Sequence, residues 1–406
     1  MSRAASGGRA LKFVILVTAL VCQINTIASV MMADIASAFP DASNVAVQYV
    51  MQSGMIGAFV VSLLMSVFTS RFRKKPMILM GLAAIFLGGL IPILNHSSIL
   101  LLDICGFISG SGQGFLMPLM GALILENFEG RERESMLGLN TTFITGGSAL
   151  FLMIAGPVCE RGWVNVYFIY FVTIPVIAIV LLFLAKDEKP LPAQRGEAGA
   201  ARRPAISAKG WIQCALIVMM GIGYTAFPLN LSFYVVGKGL GSATTVGLCM
   251  TVITVIGALT GLVFAQLVKA SRLYISVVAA GFGLAATLVT IFAQNMALVF
   301  LGAALAGAYF GINTASPGYY IGRICSKEQY GPTFSMAMSC NFMGIILSPI
   351  ILNLLISLWG GDPEAPLNAF ITGAGVFTVT LVLQAIWGAY LTRTLPPELP
   401  EEGCAA

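Results

Sequence analysis

Apolar positions in this chain of 406 residues run in long blocks, and polar positions collect in the gaps between them. The blocks lack the short apolar/polar alternation of membrane barrel strands. Each is about 20 residues or longer, enough for a helix to cross a bilayer core of roughly 30 Å. Twelve such spans are predicted. In the first half they lie near Leu11–Phe39, Val45–Phe68, Pro76–Leu94, Ile99–Leu125, Ser135–Val158 and Trp163–Leu184. In the second they lie near Trp211–Val236, Thr244–Val268, Leu273–Phe292, Met296–Ile321, Thr333–Trp359 and Leu367–Leu391.

The longest polar gap, 185–210, is rich in Pro, Gly and charge and cannot span, so it reads as a solvated linker. The predicted organisation is a six-helix bundle at 1–184, a cytoplasmic linker at 185–210, a second bundle at 211–392 and a cytoplasmic tail at 393–406. The halves repeat weakly. Gly112 and Pro118 of span 4 echo Gly311 and Pro317 of span 10, and the stretch from Ser66 echoes that from Gly261. Duplicated bundles related by an axis along the membrane normal place a substrate site between them, near mid-membrane.

Composition turns the pattern into a membrane protein. The chain is 58% hydrophobic and 10% charged, against about 25% charged in soluble domains. All but Arg161 and Lys238 of the 22 Lys and Arg fall at one set of span ends. By the positive-inside rule both termini and the linker are then cytoplasmic, in a cell membrane. The net charge of +5 suits loops resting against anionic lipid and calls for no nucleic-acid partner. The first apolar run is too long for a signal peptide, and the terminal Cys404-Ala-Ala is one residue short of a prenylation box. Eight scattered cysteines and a single His96 point to no disulfide frame, metal site or cofactor.

Candidate chemistry lies inside the spans. Asp103 sits in span 4 beside Gly106, Gly110 and Gly114, whose spacing clears one helix face for close approach. Asp34 sits near the outer end of span 1. A desolvated carboxylate can exchange a proton near neutral pH, so Asp103, with Asp34, is the candidate for proton coupling. For Asp34, an interfacial role is the other reading. Gln23, Asn25, Gln113, Asn140, Asn230, Asn313 and Asn341 are amides that could face a solute or bridge helices. Tyr224 and Tyr309, with neighbouring aromatics, suit an amphipathic ligand or lipid. No Lys or Arg lies near the middle of a span, which disfavours a small, highly anionic solute.

One loop and two helices carry a family resemblance. The loop after span 2 ends in Ser70, Arg71, Phe72, Arg73, Lys74 and Lys75. It resembles the Gly-x-x-x-Asp-Arg-x-Gly-Arg-Arg/Lys pattern of the major facilitator superfamily. Arg71, Lys74 and Lys75 match; Ser70 stands where the family has the acid that helps latch the outward-facing state. Gly156-Pro157 in span 5 resembles part of the family's antiporter motif and leans toward drug:proton antiporter-like members, although Leu152 and Glu160-Arg161 replace its other glycines. The family's proton-relay arginine in span 4 has Gly106 in its place.

The resemblance implies an all-α membrane fold of twelve helices in two pseudo-symmetric six-helix bundles, acting by alternating access as a monomer. The expected function is secondary transport of a small organic, drug-like or amphipathic solute by proton-linked export, and not an enzymatic one. Uptake by symport or facilitated diffusion is the alternative. The chain has no Gly-x-x-x-x-Gly-Lys-Ser/Thr loop for ATP.

Overall fold

The computed structural model describes residues 2–184 and 206–395. The segment expected as the linker therefore lies almost wholly outside the described residues, as does the end of the tail. Among the described residues, twelve helices are long and apolar enough to cross a membrane. Spans 1 to 6 are Arg9–Ala38, Asn44–Met65, Lys74–Leu94, Ile99–Asn127, Ser135–Cys159 and Trp163–Phe183. Spans 7 to 12 are Ala208–Gly237, Ala243–Leu262, Phe264–Ile291, Met296–Ile324, Thr333–Leu358 and Pro366–Thr394. The polar gaps stop and start the helices as their chemistry dictates. Ser43, Ser98, Ser207 and Asn295 each cap the helix that follows through a side-chain oxygen.

Several boundaries differ from those expected. Span 1 is not one helix: an α-helix ends at Val21, a 3-10 turn runs Ile24–Ile27, and a second α-helix starts at Ala28. The break arises locally, because the Thr26 N–H and hydroxyl both turn back to the Gln23 carbonyl, at 3.2 and 2.9 Å. Span 6 likewise opens as a 3-10 stretch, Trp163–Val172. Span 8 ends at Leu262 rather than near Val268, and a short amphipathic helix, Phe264–Ser271, follows it.

The glycine ladder of span 4 is packing machinery. A Cβ on Gly110 would lie 1.8 Å from the Gly54 carbonyl oxygen of span 2, and one on Gly114 would lie 2.7 Å from that of Ala58. The second half repeats this contact: a Cβ on Gly311 of span 10 would lie 2.3 Å from the Gly257 carbonyl oxygen of span 8. Measured from the capped starts at Ser98 and Asn295, the structural counterpart of Gly311 is Gly114, which corrects the pairing of Gly112 with Gly311. Gly112 presses instead on Gly81 of span 3. Two equal helix pairs, 2 with 4 and 8 with 10, relate the bundles.

Candidate functional site

Among the described residues the two bundles meet along a seam held by hydrogen bonds at one end. Among the described residues, every hydrogen bond across it lies in the half remote from the Lys/Arg-rich loops. Gln48 of span 2 donates to Asn230 of span 7 at 3.0 Å. Gln52 Nε2 and Tyr49 Oη donate to the Ile345 and Ile346 carbonyls of span 11, at 2.9 and 3.3 Å. Ser232 Oγ accepts from the Ala33 N–H and donates to the Val30 carbonyl. Thr251 Oγ1 of span 8 shares its proton between the Gly247 carbonyl of its own helix at 2.8 Å and the Ala149 carbonyl of span 5 at 3.2 Å. The rings of Phe59 and Phe342, 5.8 Å apart, meet about 22 Å along span 2 from its start, at 1.5 Å per residue.

Toward the basic end no hydrogen bond joins the described residues of these faces. Leu152 and Gly156 of span 5 press on Gly247 and Thr244 of span 8. Along that face of span 5, Thr145, Thr141 and Gly138 follow at helical spacing, and Thr141 and Gly138 are exposed. Gly138, and Gly261 on span 8, have open space where a side chain would stand. Thr141, Thr142 and Thr145 each donate to the carbonyl four residues back. Their hydroxyls are satisfied within the helix, so this part of the wall is mildly polar and uncharged.

The expected site residues fall into separate places. Asn230 is in the seam, 5% exposed, and bridges to Gln48. Gly156 is also there: a Cβ on it would lie 2.6 Å from Thr244 Cα, so the glycine of the span 5 motif is a point of closest approach between halves. Pro157 follows it inside the same helix. Asn25, on the broken turn of span 1, points into its own bundle, where its Oδ1 accepts from Ser109 Oγ at 2.5 Å and Tyr170 Oη at 3.1 Å. Its Nδ2 is buried without a partner. Gln23 flanks this turn and holds it through its backbone carbonyl.

Beside Asn25 lies a narrow void bordered by Leu102, Gly106, Tyr167 and Tyr170, with about 10 Å³ of space for water centres, or about one water molecule. Asp103 is half-buried near Tyr167, and its Oδ1 is buried without a hydrogen-bond partner. Asp34 has a different neighbour: its carboxylate accepts from the Cys159 thiol at 3.3 Å. The two acids thus face different helices, spans 6 and 5. The equivalent interior of the second bundle is aromatic. Tyr309 is fully buried, donates to the Met220 carbonyl at 2.6 Å and stacks on Tyr224. Gln113 Nε2 contacts Met117 Sδ at 3.7 Å. Asn140 and Asn313 each bury an unpartnered Oδ1, and Asn341 on span 11 is half-buried.

The basic loop after span 2 is tied down within the first bundle. Lys74 is paired with Glu126 at the end of span 4. Lys75 Nζ donates to the Leu181 carbonyl at 2.8 Å and to that of Leu184, closing the end of span 6. The side chains of Ser70 and Arg71 lie outside the described residues. Sequence reasoning missed Gln48, Gln52 and Ser232. Gln48 and Gln52, four apart on an otherwise apolar helix, were the available signal. Among the described residues no group of His, Cys, Asp or Glu could hold a metal ion.

Two six-helix bundles packed on a hydrogen-bonded seam define a polytopic membrane carrier. A family model for the Major Facilitator Superfamily matches residues 14–286 and 214–403. The chain belongs to that superfamily of transporters. No curated protein matches it, but solved structures share its fold. A variant of the nucleoside transporter NupG superposes with a TM-score of 0.75 at 10% identity, covering 94% of this chain and 99% of that one. A bacterial homologue of the human lysosomal transporter Spinster, inward-facing and unoccupied, gives 0.68 at 14% identity, covering 95% and 96%. A D-xylose-proton symporter gives 0.67 at 15% identity, covering 95% and 98%.

Proposed function

We propose that this protein is a secondary transporter working by alternating access, in a state open toward the cytoplasm. The observation that carries the reading is the one-ended seam: among the described residues, polar contacts between bundles lie at one end, while Gly138 and Gly261 meet open space toward the other. With the basic loops placed in the cytoplasm, the open end is the inner one. On the same reading, 1–184 and 211–392 are the two moving bodies, and 185–210 and 393–406 are cytoplasmic.

The solute is a small organic molecule, neutral or weakly charged and amphipathic. Spans without a central cation and a wall of satisfied threonines support this class. Asp103 is the proton-coupling residue, supported by its unpartnered buried carboxylate oxygen. Export is the direction assigned, resting on Gly156-Pro157, whose glycine packs in the seam. A second reading, proton-linked uptake of a polar metabolite, is favoured by the unpartnered amides of Asn140 and Asn313. The likeness to a nucleoside transporter and a D-xylose-proton symporter agrees with it.

Flux of a solute panel in proteoliposomes with an imposed pH gradient tests both readings. The expected result is gradient-driven accumulation by the wild type, with D103N losing the gradient dependence but keeping counterflow. Unchanged pH dependence in D103N would remove Asp103 from the mechanism. The sign of the gradient that drives accumulation separates export from uptake.

A further inference from the structure

Span 8 begins without a cap of its own. The Ser242 side chain makes no capping hydrogen bond, and the first turn holds no acid. Its unpaired N–H groups and the positive end of its dipole meet an acid from the other bundle instead: Glu160 Oε1 accepts from the Thr244 N–H at 3.4 Å. The Ser242 and Thr244 hydroxyls face the same carboxylate. Span 2 also starts without an acid in its first turn. There Glu364, from the connection between spans 11 and 12, accepts from the Asn44 N–H at 3.4 Å, and Asn44 Nδ2 donates to the Glu364 carbonyl at 3.1 Å.

The two contacts are counterparts. Spans 2 and 8 correspond through Ala58 and Gly257, whose carbonyls meet Gly114 and Gly311, and the connections after spans 5 and 11 correspond through the six-span repeat. Each bundle therefore extends one glutamate onto a helix start of the other, and both contacts join groups that must separate when the seam opens.

We propose that Glu160 and Glu364 are a crossed pair of electrostatic latches that hold the seam shut at the end remote from the basic loops, and so set the balance between the two access states. They are positioning residues that act through the bundles and do not touch solute. The inference rests on the alternating-access reading. Replacing either carboxylate by its amide keeps the shape and removes the charge that the helix start attracts, shifting the balance about two- to five-fold.

The test uses two reporters in a background with the eight native cysteines replaced. S232C reports the closed end, where Ser232 is fully buried. G138C reports the open end, where Gly138 has free space. A membrane-impermeant maleimide is applied from each side of oriented vesicles. In E160Q and in E364Q, S232C labelling is expected to rise about two- to five-fold, with the two effects multiplying in the double variant. G138C labelling is expected not to rise. Unchanged S232C labelling overturns the latches, and so does a rise at both reporters together, which marks general loosening. If S232C labels in no variant while G138C does, the two-state reading fails as well.

Discussion

Gln48 of span 2 donates a 3.0 Å hydrogen bond to Asn230 of span 7, and the two side chains are 4% and 5% exposed. The pair joins the bundles at the closed end of the seam. It must break whenever that end opens, so its strength bears on the access equilibrium as well as on stability.

Removing one partner strands the other. N230A leaves the buried Gln48 amide without its acceptor, a cost of about 1–3 kcal/mol charged to the closed seam alone. S232C labelling from the closed side should rise, and thermal unfolding in detergent should begin earlier. Q48L/N230L, which removes both polar groups, should recover at least half of the loss.

Helix approach at Gly110 admits no side chain. Since a Cβ there would lie 1.8 Å from the Gly54 carbonyl oxygen, G110A must push spans 2 and 4 apart, at about 1–3 kcal/mol or more. G138A and G261A, which meet open space, should retain wild-type expression and thermal stability. Fluorescence-detected size-exclusion profiles after heating would compare the three.

The pair at the basic end is asymmetric. The Lys74 side chain is 7% exposed and that of Glu126 is 41%. Losing the anion takes one ion partner from a poorly solvated charge, whereas losing the cation frees a carboxylate that water can reach. E126Q should therefore cost about 1–3 kcal/mol and K74M less, measured by the same unfolding assay.

Glu160 carries a pH signature. Hydrogen bonds from the Ser242 and then the Thr244 hydroxyls hold its carboxyl below the ordinary carboxylate range. Cys159 and Arg161 adjoin it in the chain, and the Cys159 thiol donates to Asp34. A depressed carboxyl contributes fully above its ordinary pKa of about 4.3 and loses that contribution as pH falls through the lowered value. The difference in S232C labelling between E160Q and wild type should stay level between about pH 6 and 8, then vanish in acid. A difference that titrates near neutrality would place its origin elsewhere.

The sequence made the spans legible because the bilayer imposes a length and a composition on each helix. The Ser and Asn caps were equally local, at Ser43, Ser98, Ser207 and Asn295. The seam was not legible. Asn230 and Asn25 are amides in similar apolar runs, yet one bridges the bundles and the other turns inward to Ser109 and Tyr170. That choice depends on helix rotation, which a run apolar on every side does not encode. Glu160 read only as a departure from a glycine motif, because its partner lies in the other half of the chain. The repeat was detected in the wrong register for a related reason: Gly112 and Gly311 match as letters, but Gly114 and Gly311 match in what they press against.

A reversible cross-link across the seam tests the central claim most directly. Thr251 of span 8 and Ala149 of span 5 touch through a 3.2 Å hydrogen bond, so cysteines at A149C and T251C in a cysteine-free background can be joined by oxidation. For any solute the proteoliposomes carry, alternating access predicts that flux stops in the oxidised protein and returns on reduction, with each single cysteine insensitive. Undiminished flux through the cross-linked protein would contradict the account.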